Sequence, residues 1–231
     1  MIDEAHHSTA KTYQKIINEL GFSENNKKLL VGLTATPMRS DKKNLGDLFD
    51  KIVYSKTIAE FIESKFLCPI TGRRILTSFN LNGIKSRMGD FAVGELATAV
   101  NSKERNQFVF EKFQEYSSGR KAIIFCADVK HCHDLAQIFN DNGIKAKAAW
   151  GNMKKDDRKK VLKSFARSKT QVITSCGILT EGFDEPSIQT IVMARPTKSK
   201  GFYIQMIGRG LRKHLTKLNN TLFSEVIGKF V

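Results

Sequence analysis

The stretch Ala122-Ile123-Ile124-Phe125-Cys126 is a continuous apolar run near the middle of the 231-residue chain. An amphipathic helical pattern over Val129–Asn140 follows it, and the turn residues Asn142-Gly143 separate that helix from a second strand pattern at Ala146–Trp150. The sequence therefore predicts a strand–helix–strand unit at this point.

The same alternation continues on both sides of this unit, from Val93 onward. Short apolar strands that alternate with amphipathic helices predict an α/β fold, a parallel sheet with helices on both faces. Ligands of such sheets bind beyond the carboxyl ends of the strands, so we expect functional residues in the loops there. The further helices are predicted at Ser102–Tyr116, Asp156–Arg167 and Gly201–Leu211, and the further strands at Gln171–Ser175 and Thr190–Ala194.

The residues before Val93 have a less regular pattern. Ser8 is predicted to cap a helix that contains Tyr13, Ile16, Ile17 and Leu20 and is closed by Gly21. The remaining predictions are strands at Lys28–Leu33 and Phe49–Tyr54, a helix at Ile58–Lys65, extended chain at Cys68–Asn80 and a connector at Asn82–Asp90.

The chain is strongly basic, with 38 Lys and Arg against 23 Asp and Glu, a net charge of +15 and a pI near 9.7. This excess favours a polyanionic partner such as nucleic acid, although basic proteins also bind ribosomes or lipid surfaces. Eight of the cations lie in the predicted helix Lys154–Lys169. They are predicted to form an ordinary solvated face, with phosphate contact as the alternative.

Four cysteines, Cys68, Cys126, Cys132 and Cys176, form no C-x-x-C pair and indicate buried thiols in a reducing, intracellular compartment. A zinc site made of Cys126, Cys132 and the neighbouring histidines is disfavoured, because the helical residues would point to different faces. No apolar run reaches membrane-spanning length, and no membrane partner is expected. Residues 1–7 resemble neither a signal peptide nor a transit peptide.

Two motifs near the N-terminus carry candidate chemistry. Asp3-Glu4-Ala5-His6 places an acidic pair at the end of a short strand pattern, where one carboxylate can hold Mg²⁺ and the other can orient the attacking water. Thr34-Ala35-Thr36-Pro37 follows the strand predicted at Lys28–Leu33 and offers hydroxyl groups to the acidic motif. Each motif alone is also compatible with solvated acids or a Thr-rich turn.

Two further motifs follow predicted strands in the second half. Thr180-Glu181-Gly182-Phe183-Asp184 contains a glycine that lets the backbone approach a phosphate or sugar. Gln205-Met206-Ile207-Gly208-Arg209-Gly210-Leu211-Arg212 places two arginines on one side of a helix, where a guanidinium can stabilise a phosphoryl group in transfer. We expect Asp184, Arg209 and Arg212 to gather on one edge of the sheet, at the strand tips. The presence of all four motifs in this order indicates a nucleotide-dependent function.

These four motifs, in this order, resemble those of superfamily 2 helicases of the DEAH type. The strings Val31-Gly32-Leu33-Thr34-Ala35-Thr36-Pro37-Met38-Arg39 and Ala194-Arg195-Pro196-Thr197-Lys198-Ser199-Lys200 resemble the DNA translocases related to restriction-enzyme motor subunits, a group that includes a fungal mitochondrial branch-migration helicase. The resemblance covers about residues 1 to 214. It implies a RecA-like P-loop NTPase fold, ATP and Mg²⁺ as cofactors, and a nucleic-acid partner, DNA rather than RNA.

The resemblance also implies roles for individual residues. Asp3 would bind Mg²⁺ through water, and Glu4 would be the catalytic base. His6 would contact Gln205 and couple hydrolysis to movement, with Thr34 and Thr36 as relays. Gly182 and Asp184 would meet the nucleotide, Arg209 and Arg212 would be arginine fingers, and Thr180 would reach a nucleic-acid phosphate.

The resemblance is incomplete, because no G-x-x-x-x-G-K-[ST] phosphate-binding loop occurs in the sequence. We therefore expect residues 1–70 to be the C-terminal part of a first motor domain, 71–92 a connector, 93–214 a second motor domain and 215–231 a divergent tail. One hypothesis is an N-terminally truncated ATP-dependent DNA helicase, in the nucleus or mitochondrion if eukaryotic. The alternative is a catalytically inactive nucleic-acid-binding module.

Overall fold

The computed structural model describes residues 1–22, 28–36, 45–75, 81, 83–87, 89–180 and 182–214. Short 3-10 helices lie at Ala5–His7 and Leu45–Asp47. The other elements are, in chain order, α1 (Lys11–Glu19), α2 (Ile58–Glu63), β1 (Ser86–Arg87), β2 (Asp90–Phe91), α3 (Val93–Val100), α4 (Lys103–Ser117), β3 (Ala122–Phe125), α5 (Val129–Asp141), β4 (Ala146–Trp150), α6 (Lys155–Ala166), β5 (Val172–Cys176), β6 (Thr190–Met193) and α7 (Lys200–Gly208).

A four-stranded parallel sheet with the order β4-β5-β3-β6 forms the centre of the molecule. In the middle of the sheet, Ile124 is paired in register with Thr174 on one side and with Val192 on the other. Parallel neighbours need crossover helices, and the helices between these strands supply them. The predicted α/β fold, a parallel sheet with helices on both faces, is confirmed.

Two hydrophobic layers cover the two faces of this sheet. Ile124 packs in the layer formed with α4 and α5, which is centred on Phe139, whereas Ile123 and Phe125 pack in the layer formed with α6 and α7. All four residues of β3 are at most 2% exposed. This two-sided burial explains why the strand is a continuous apolar run rather than an alternating one.

Polar caps begin two of the helices that follow strands of the central sheet, α5 and α7. The Asp128 carboxylate accepts a hydrogen bond from the backbone N–H of His131 at 2.7 Å, and the Ser199 hydroxyl accepts one from Phe202 at 3.2 Å. These caps place the beginnings of α5 and α7 within one residue of the predicted positions. The predicted cap at Ser8 is wrong, because the Ser8 hydroxyl instead donates to the Ala5 carbonyl and α1 follows Ala10.

The N-terminal residues pair only briefly. Ile2 donates to the Val31 carbonyl at 2.8 Å and accepts from the Leu33 N–H at 2.9 Å, so the predicted strand at Lys28–Leu33 is a single parallel bridge centred on Gly32. A side chain at Gly32 would not fit there, since its Cβ would lie 2.8 Å from the Ala5 Cβ.

The strand predicted at Phe49–Tyr54 is wrong. Ile52, Val53 and Tyr54 are 69 to 79% exposed, and no described segment forms a backbone ladder with them. A β-branched run with strand propensity needs a neighbouring strand to complete its hydrogen bonds, and propensity alone does not supply one. The helix predicted at Ile58–Lys65 is confirmed as α2, which Thr57 opens with a capping box.

The predicted connector contains a small antiparallel pair, β1 with β2. Residues 76–80 of the extended chain predicted at Cys68–Asn80, Asn82 and Met88 of the predicted connector, Pro37 of the threonine motif, and the tail 215–231 lie outside the described residues. Within the described ranges, no helix has the length and apolarity needed to cross a bilayer.

Candidate functional site

The loop after β5 and the end of α7 meet on one edge of the sheet. The Arg209 guanidinium donates to the Thr180 carbonyl from Nη2 at 2.7 Å and from Nε at 3.1 Å, and to the Phe183 carbonyl from Nη1 at 2.7 Å. Arg209 is 9% exposed. It therefore fixes the backbone of the loop on both sides of Gly182.

Arg212 reaches the same loop from a more open position. Its Nη1 donates to the Phe183 carbonyl at 2.9 Å and to the Asp184 carboxylate at 2.6 Å, and its side chain is 36% exposed. The prediction that Asp184, Arg209 and Arg212 gather at one edge is confirmed. The two arginines differ, however, because only Arg212 remains substantially accessible to solvent.

The backbone of this loop has an unusual conformation. Leu179 has a φ of 66° and Gly182 a φ of 65°, both in the left-handed region. A buried leucine in that region is rare and indicates local strain that the surroundings hold in place. A Cβ at Gly182 would meet nothing within 4 Å, so the backbone there faces open space that a phosphate or sugar could enter. Glu181 lies outside the described residues.

The acidic pair lies next to the single parallel bridge. The Asp3 carboxylate accepts from the Glu4 N–H at 2.9 Å, and Glu4 has a φ of 49°. The Glu4 carboxylate lies 3.4 Å from His6 Nδ1, and its side chain is 42% exposed. Asp3 is exposed and Glu4 is partly exposed, so both carboxylates reach solvent.

His6 connects the N-terminal motifs to α7. Its Nδ1 lies 3.0 Å from the Thr34 hydroxyl, and its Nε2 lies 3.4 Å from the amide nitrogen of Gln205. An amide nitrogen only donates, so a hydrogen bond with the Gln205 amide in this orientation requires Nε2 as the acceptor. His6 is 8% exposed, which keeps this geometry shielded from water.

The threonine motif touches the beginning of α7. The Thr34 hydroxyl accepts from the Thr36 N–H at 3.1 Å, and Thr36 is 6% exposed. A Cβ at Gly201 would lie 3.6 Å from the Thr36 Cβ, so Thr36 packs directly against the first turn of α7. The structure thus brings both N-terminal motifs into contact with the helix that carries Gln205 and Arg209.

Sequence reasoning missed Asp90, which lies in the predicted connector. Its carboxylate accepts from Arg195 Nη2 at 2.7 Å and from the Lys198 N–H at 2.8 Å. Burial lowers the pKa of Arg195, and the charge of Asp90 opposes that shift. The pair fixes the loop between β6 and Ser199, the residue that caps α7. Asp90 lies 105 positions before Arg195 and belongs to no local sequence pattern, so the sequence could not have revealed this contact.

A second missed contact fixes the other end of the loop that follows β5. Lys121 Nζ lies 3.4 Å from the Glu185 carboxylate and 2.6 Å from the Ser187 hydroxyl. Burial lowers the pKa of Lys121, while the carboxylate of Glu185 opposes the shift. The loop is therefore held by Arg209 and Arg212 at the sheet edge and by Lys121 where it turns back towards β6.

Two of the cysteines, Cys132 and Cys176, hold the thiol proton more tightly than an ordinary cysteine. Hydrogen bonding to Cys126 and burial raise the pKa of Cys132, and hydrogen bonding to Cys132 together with burial raises the pKa of Cys176. A metal ligand must lose this proton, so the thiols are poor ligands. The described part of the chain contains no group of three His, Cys, Asp or Glu side chains arranged to hold a metal ion.

A parallel sheet with this motif order along one edge is the RecA-like C-terminal domain of a helicase. Residues 101–214 match the helicase conserved C-terminal domain, and residues 1–39 match the res subunit of type III restriction enzymes. The chain belongs to the superfamily 2 helicases.

Two fungal proteins are similar to nearly the whole chain. IRC3 of Saccharomyces cerevisiae, named as an ATP-dependent helicase, is 37% identical over 94% of this chain and 32% of its own length. The irc3 protein of Schizosaccharomyces pombe, named as a mitochondrial ATP-dependent helicase, is 32% identical over 93% of this chain and 36% of its own length. The chain thus spans about a third of the length of these relatives.

A solved structure supports the fold over the same range. A fragment of an HsdR subunit of a type I restriction enzyme from Vibrio vulnificus superposes with a TM-score of 0.74, at 21% identity, over 94% of this chain and 42% of that chain. The predicted fold and family are confirmed. The roles of Asp3, Glu4, His6, Thr34, Thr36, Thr180, Gly182, Asp184, Gln205, Arg209 and Arg212, and the domain boundaries, stay predictions.

Proposed function

We propose that this chain is the second motor domain, with part of the first, of an ATP-dependent helicase or translocase that moves on DNA. The observation that carries the proposal is the contact between the two halves of the motif set. His6 lies against Gln205, while Arg209 and Arg212 hold the loop at 180–184 beside the same helix. This arrangement suits a site that forms and opens between two domains as nucleotide is bound and released.

In this function, the two arginines have different roles. Arg209 is nearly buried and already donates to two carbonyls, so it positions the loop that would meet the nucleotide. Arg212 is held by exposed Asp184 and can exchange that carboxylate for a phosphoryl oxygen. Both are arginine fingers in our proposal, but Arg212 is the one that needs less rearrangement to reach a γ-phosphate.

The acidic pair fits a magnesium ion held together with a nucleotide. Mg²⁺ prefers oxygen ligands and keeps several waters, so one or two carboxylates with substrate phosphates suffice. Asp3 would hold the ion through water, and Glu4 would accept the proton of the attacking water. When bound, the ion would neutralise charge that develops on the phosphates.

A second candidate function follows from a motif that the 231 residues lack. The 231 residues contain no phosphate-binding loop, and phosphoryl transfer needs the β- and γ-phosphates held before a finger can act. A nucleic-acid-binding module without turnover is therefore the alternative. DNA rather than RNA is proposed from the restriction-enzyme resemblance, and a mitochondrial location from the name of the S. pombe relative.

An ATPase assay on two proteins separates these functions. One is the 231-residue chain, and the other is this chain preceded by a helicase segment that carries a G-x-x-x-x-G-K-[ST] loop. We expect no turnover by the first and duplex-DNA-stimulated turnover by the second. Loss of Arg212 in the second should lower turnover by about a thousandfold. An extended chain that binds DNA, folds and never hydrolyses ATP would favour the binding module instead.

A further inference from the structure

The outer face of α6 carries a row of cations. Lys155, Lys159 and Lys163 recur every four residues, and Arg167 at the C-terminal cap continues the row. All four residues are exposed. We call these four residues the basic face. At about 1.5 Å rise per residue, the basic face is about 18 Å long.

The segment around the basic face holds more than half of the net charge of the chain. Residues 145–169 contain ten Lys and Arg against two Asp, a net +8 out of the +15 of the whole chain. The two acids, Asp156 and Asp157, lie in the first turn of α6, where they favour the helix N-terminus. Asp157 contacts Lys160, which is outside the basic face. No ion pair joins the basic face to an acid within the part of the chain that the structure describes.

Like charges four residues apart destabilise a helix, so a row of them is unfavourable for folding. The opposite side of α6 supplies the packing, because Val161 and Phe165 are buried against the sheet. The four cations of the basic face are exposed on the other side of the helix. A partner that neutralises them is the simplest physical reason for such a row.

The edge strand β4, which lies beside α6, enlarges this surface. β4 is an edge strand, and its residue Ala149 packs in the layer that contains α6. Lys147 lies two residues earlier and therefore points to the same side of the sheet. Lys147 is exposed, so it adds a further cation beside α6.

We propose that the basic face binds the sugar–phosphate backbone of duplex DNA, as a contact separate from the residues at the sheet edge. A duplex carries one charge per about 1.7 Å of axis, so about ten phosphates pass along 18 Å. An anionic membrane is the weaker alternative. A helix that inserts into a bilayer needs a solvent-facing apolar side, and the apolar side of α6 is in the core. The inference rests on the proposed function, because it names a path for the same nucleic acid.

The test compares two variants of equal net charge in the 231-residue chain. The first carries Lys155→Gln, Lys159→Gln and Lys163→Gln. The matched control carries Lys11→Gln, Lys51→Gln and Lys103→Gln, three exposed lysines outside the basic face. A Lys-to-Arg triple at 155, 159 and 163 keeps the charge and checks that the substitutions themselves are tolerated.

Binding to a labelled DNA duplex of random sequence is measured by anisotropy between 50 and 200 mM salt. We expect the Gln triple at the basic face to reduce the salt slope by about 2.7, since each phosphate contact contributes about 0.9. Its affinity at 50 mM should fall by about tenfold or more, whereas the control and the Lys-to-Arg triple should stay within about twofold of the parent.

Equal losses in the Gln triple and the control would overturn the inference, because they would reflect net charge alone. Unchanged binding by the Gln triple would also overturn it. A parent chain that fails to bind the duplex at 50 mM would instead contradict the proposed function. Loss of binding to phosphatidylserine vesicles, with DNA binding unchanged, would assign the basic face to lipid and overturn the inference.

Discussion

Arg209 donates two hydrogen bonds to the carbonyl oxygen of Thr180, 29 residues earlier in the chain. A third bond from the same guanidinium reaches the Phe183 carbonyl. The residue that the motif marks as an arginine finger is therefore also a structural clamp for the loop at 180–184. A loss of activity on its removal has two possible physical causes, and stability measurements separate them.

We predict that Arg209→Ala lowers the free energy of unfolding of the 231-residue chain by about 1–3 kcal/mol, because the carbonyls of Thr180 and Phe183 lose their donor in a largely buried position. Arg212→Ala should cost less than about 1 kcal/mol, since its carboxylate partner is 73% exposed. Urea unfolding followed by circular dichroism measures both. Equal costs for the two variants would contradict the division of roles between these arginines.

Asp90 provides a second stability prediction. Asp90→Asn removes the charge that faces Arg195, whose side chain is only 11% exposed, while the amide oxygen can still accept from the Lys198 N–H. We expect a loss of about 1–3 kcal/mol, which corresponds to a drop in Tm of about 2–12 °C for a chain of this size.

The control for this variant is Asp141→Asn, which removes a carboxylate from the end of α5 where no ion pair is present within the described residues. The control should leave the Tm within about 1–2 °C of the parent, as surface substitutions usually do. A similar Tm for the Asp90 and Asp141 variants would show that the clamp on Arg195 contributes little.

The regular part of the fold was predictable because β3 and β6 are buried on both faces and because four helices, α2, α4, α5 and α7, begin at polar caps. β4 has the predicted bounds, and α5 differs by one residue at its end. The strand prediction at Phe49–Tyr54 was wrong because strand propensity does not identify a pairing partner. The clamp between Asp90 and Arg195 could not be predicted, since it depends on how a distant hairpin packs against the loop before α7.

The candidate site was also predictable only in part. Asp184, Arg209 and Arg212 were predicted to gather because the carboxyl ends of parallel strands share one edge. The burial of Arg209 was not predictable from the motif, which contains two arginines three residues apart with no sign of which one packs inward. Exposure follows from the path of the loop at 180–184, and that path depends on left-handed residues such as Leu179.

His131 should make the stability depend on pH. Burial, reinforced by the positive charge of Arg105, lowers the pKa of His131 to about 3, and the ring accepts from the Ala127 N–H while it contacts the Asn106 side-chain oxygen. The unfolded chain has an ordinary histidine pKa of about 6.5. Below that pH only the unfolded state binds the proton, so stability is lost as the pH falls from 6.5 towards 3.

The slope is about 1.4 kcal/mol per pH unit, or about 2 kcal/mol between pH 6.5 and 5. Urea unfolding at pH 7.5, 6.5 and 5 measures it in the parent and in His131→Asn, which lacks the titrating ring. The exposed His7→Asn variant is the control and should keep the slope of the parent. As an independent measurement, the NMR shifts of the His131 ring should show a neutral imidazole at pH 5. A protonated ring there would contradict the prediction.

The contact between His6 and Gln205 should transmit the state of the acidic pair to α7. His6 lies 3.4 Å from the Glu4 carboxylate on one side and 3.4 Å from the Gln205 amide on the other, so it touches both side chains. In the extended chain with a phosphate-binding half, we predict that His6→Ala and Gln205→Ala each lower DNA-stimulated ATP turnover and that the double variant is little worse than either. The coupling energy should be about 1 kcal/mol, or about fivefold in rate, as for other residues in direct contact.

The matched cycle pairs Gln205→Ala with His7→Ala, a neighbouring exposed histidine, and should be additive within about 0.5 kcal/mol. Additive losses in the His6 cycle would mean that the two motifs act on turnover independently, and the proposed coupling across this contact would then be wrong.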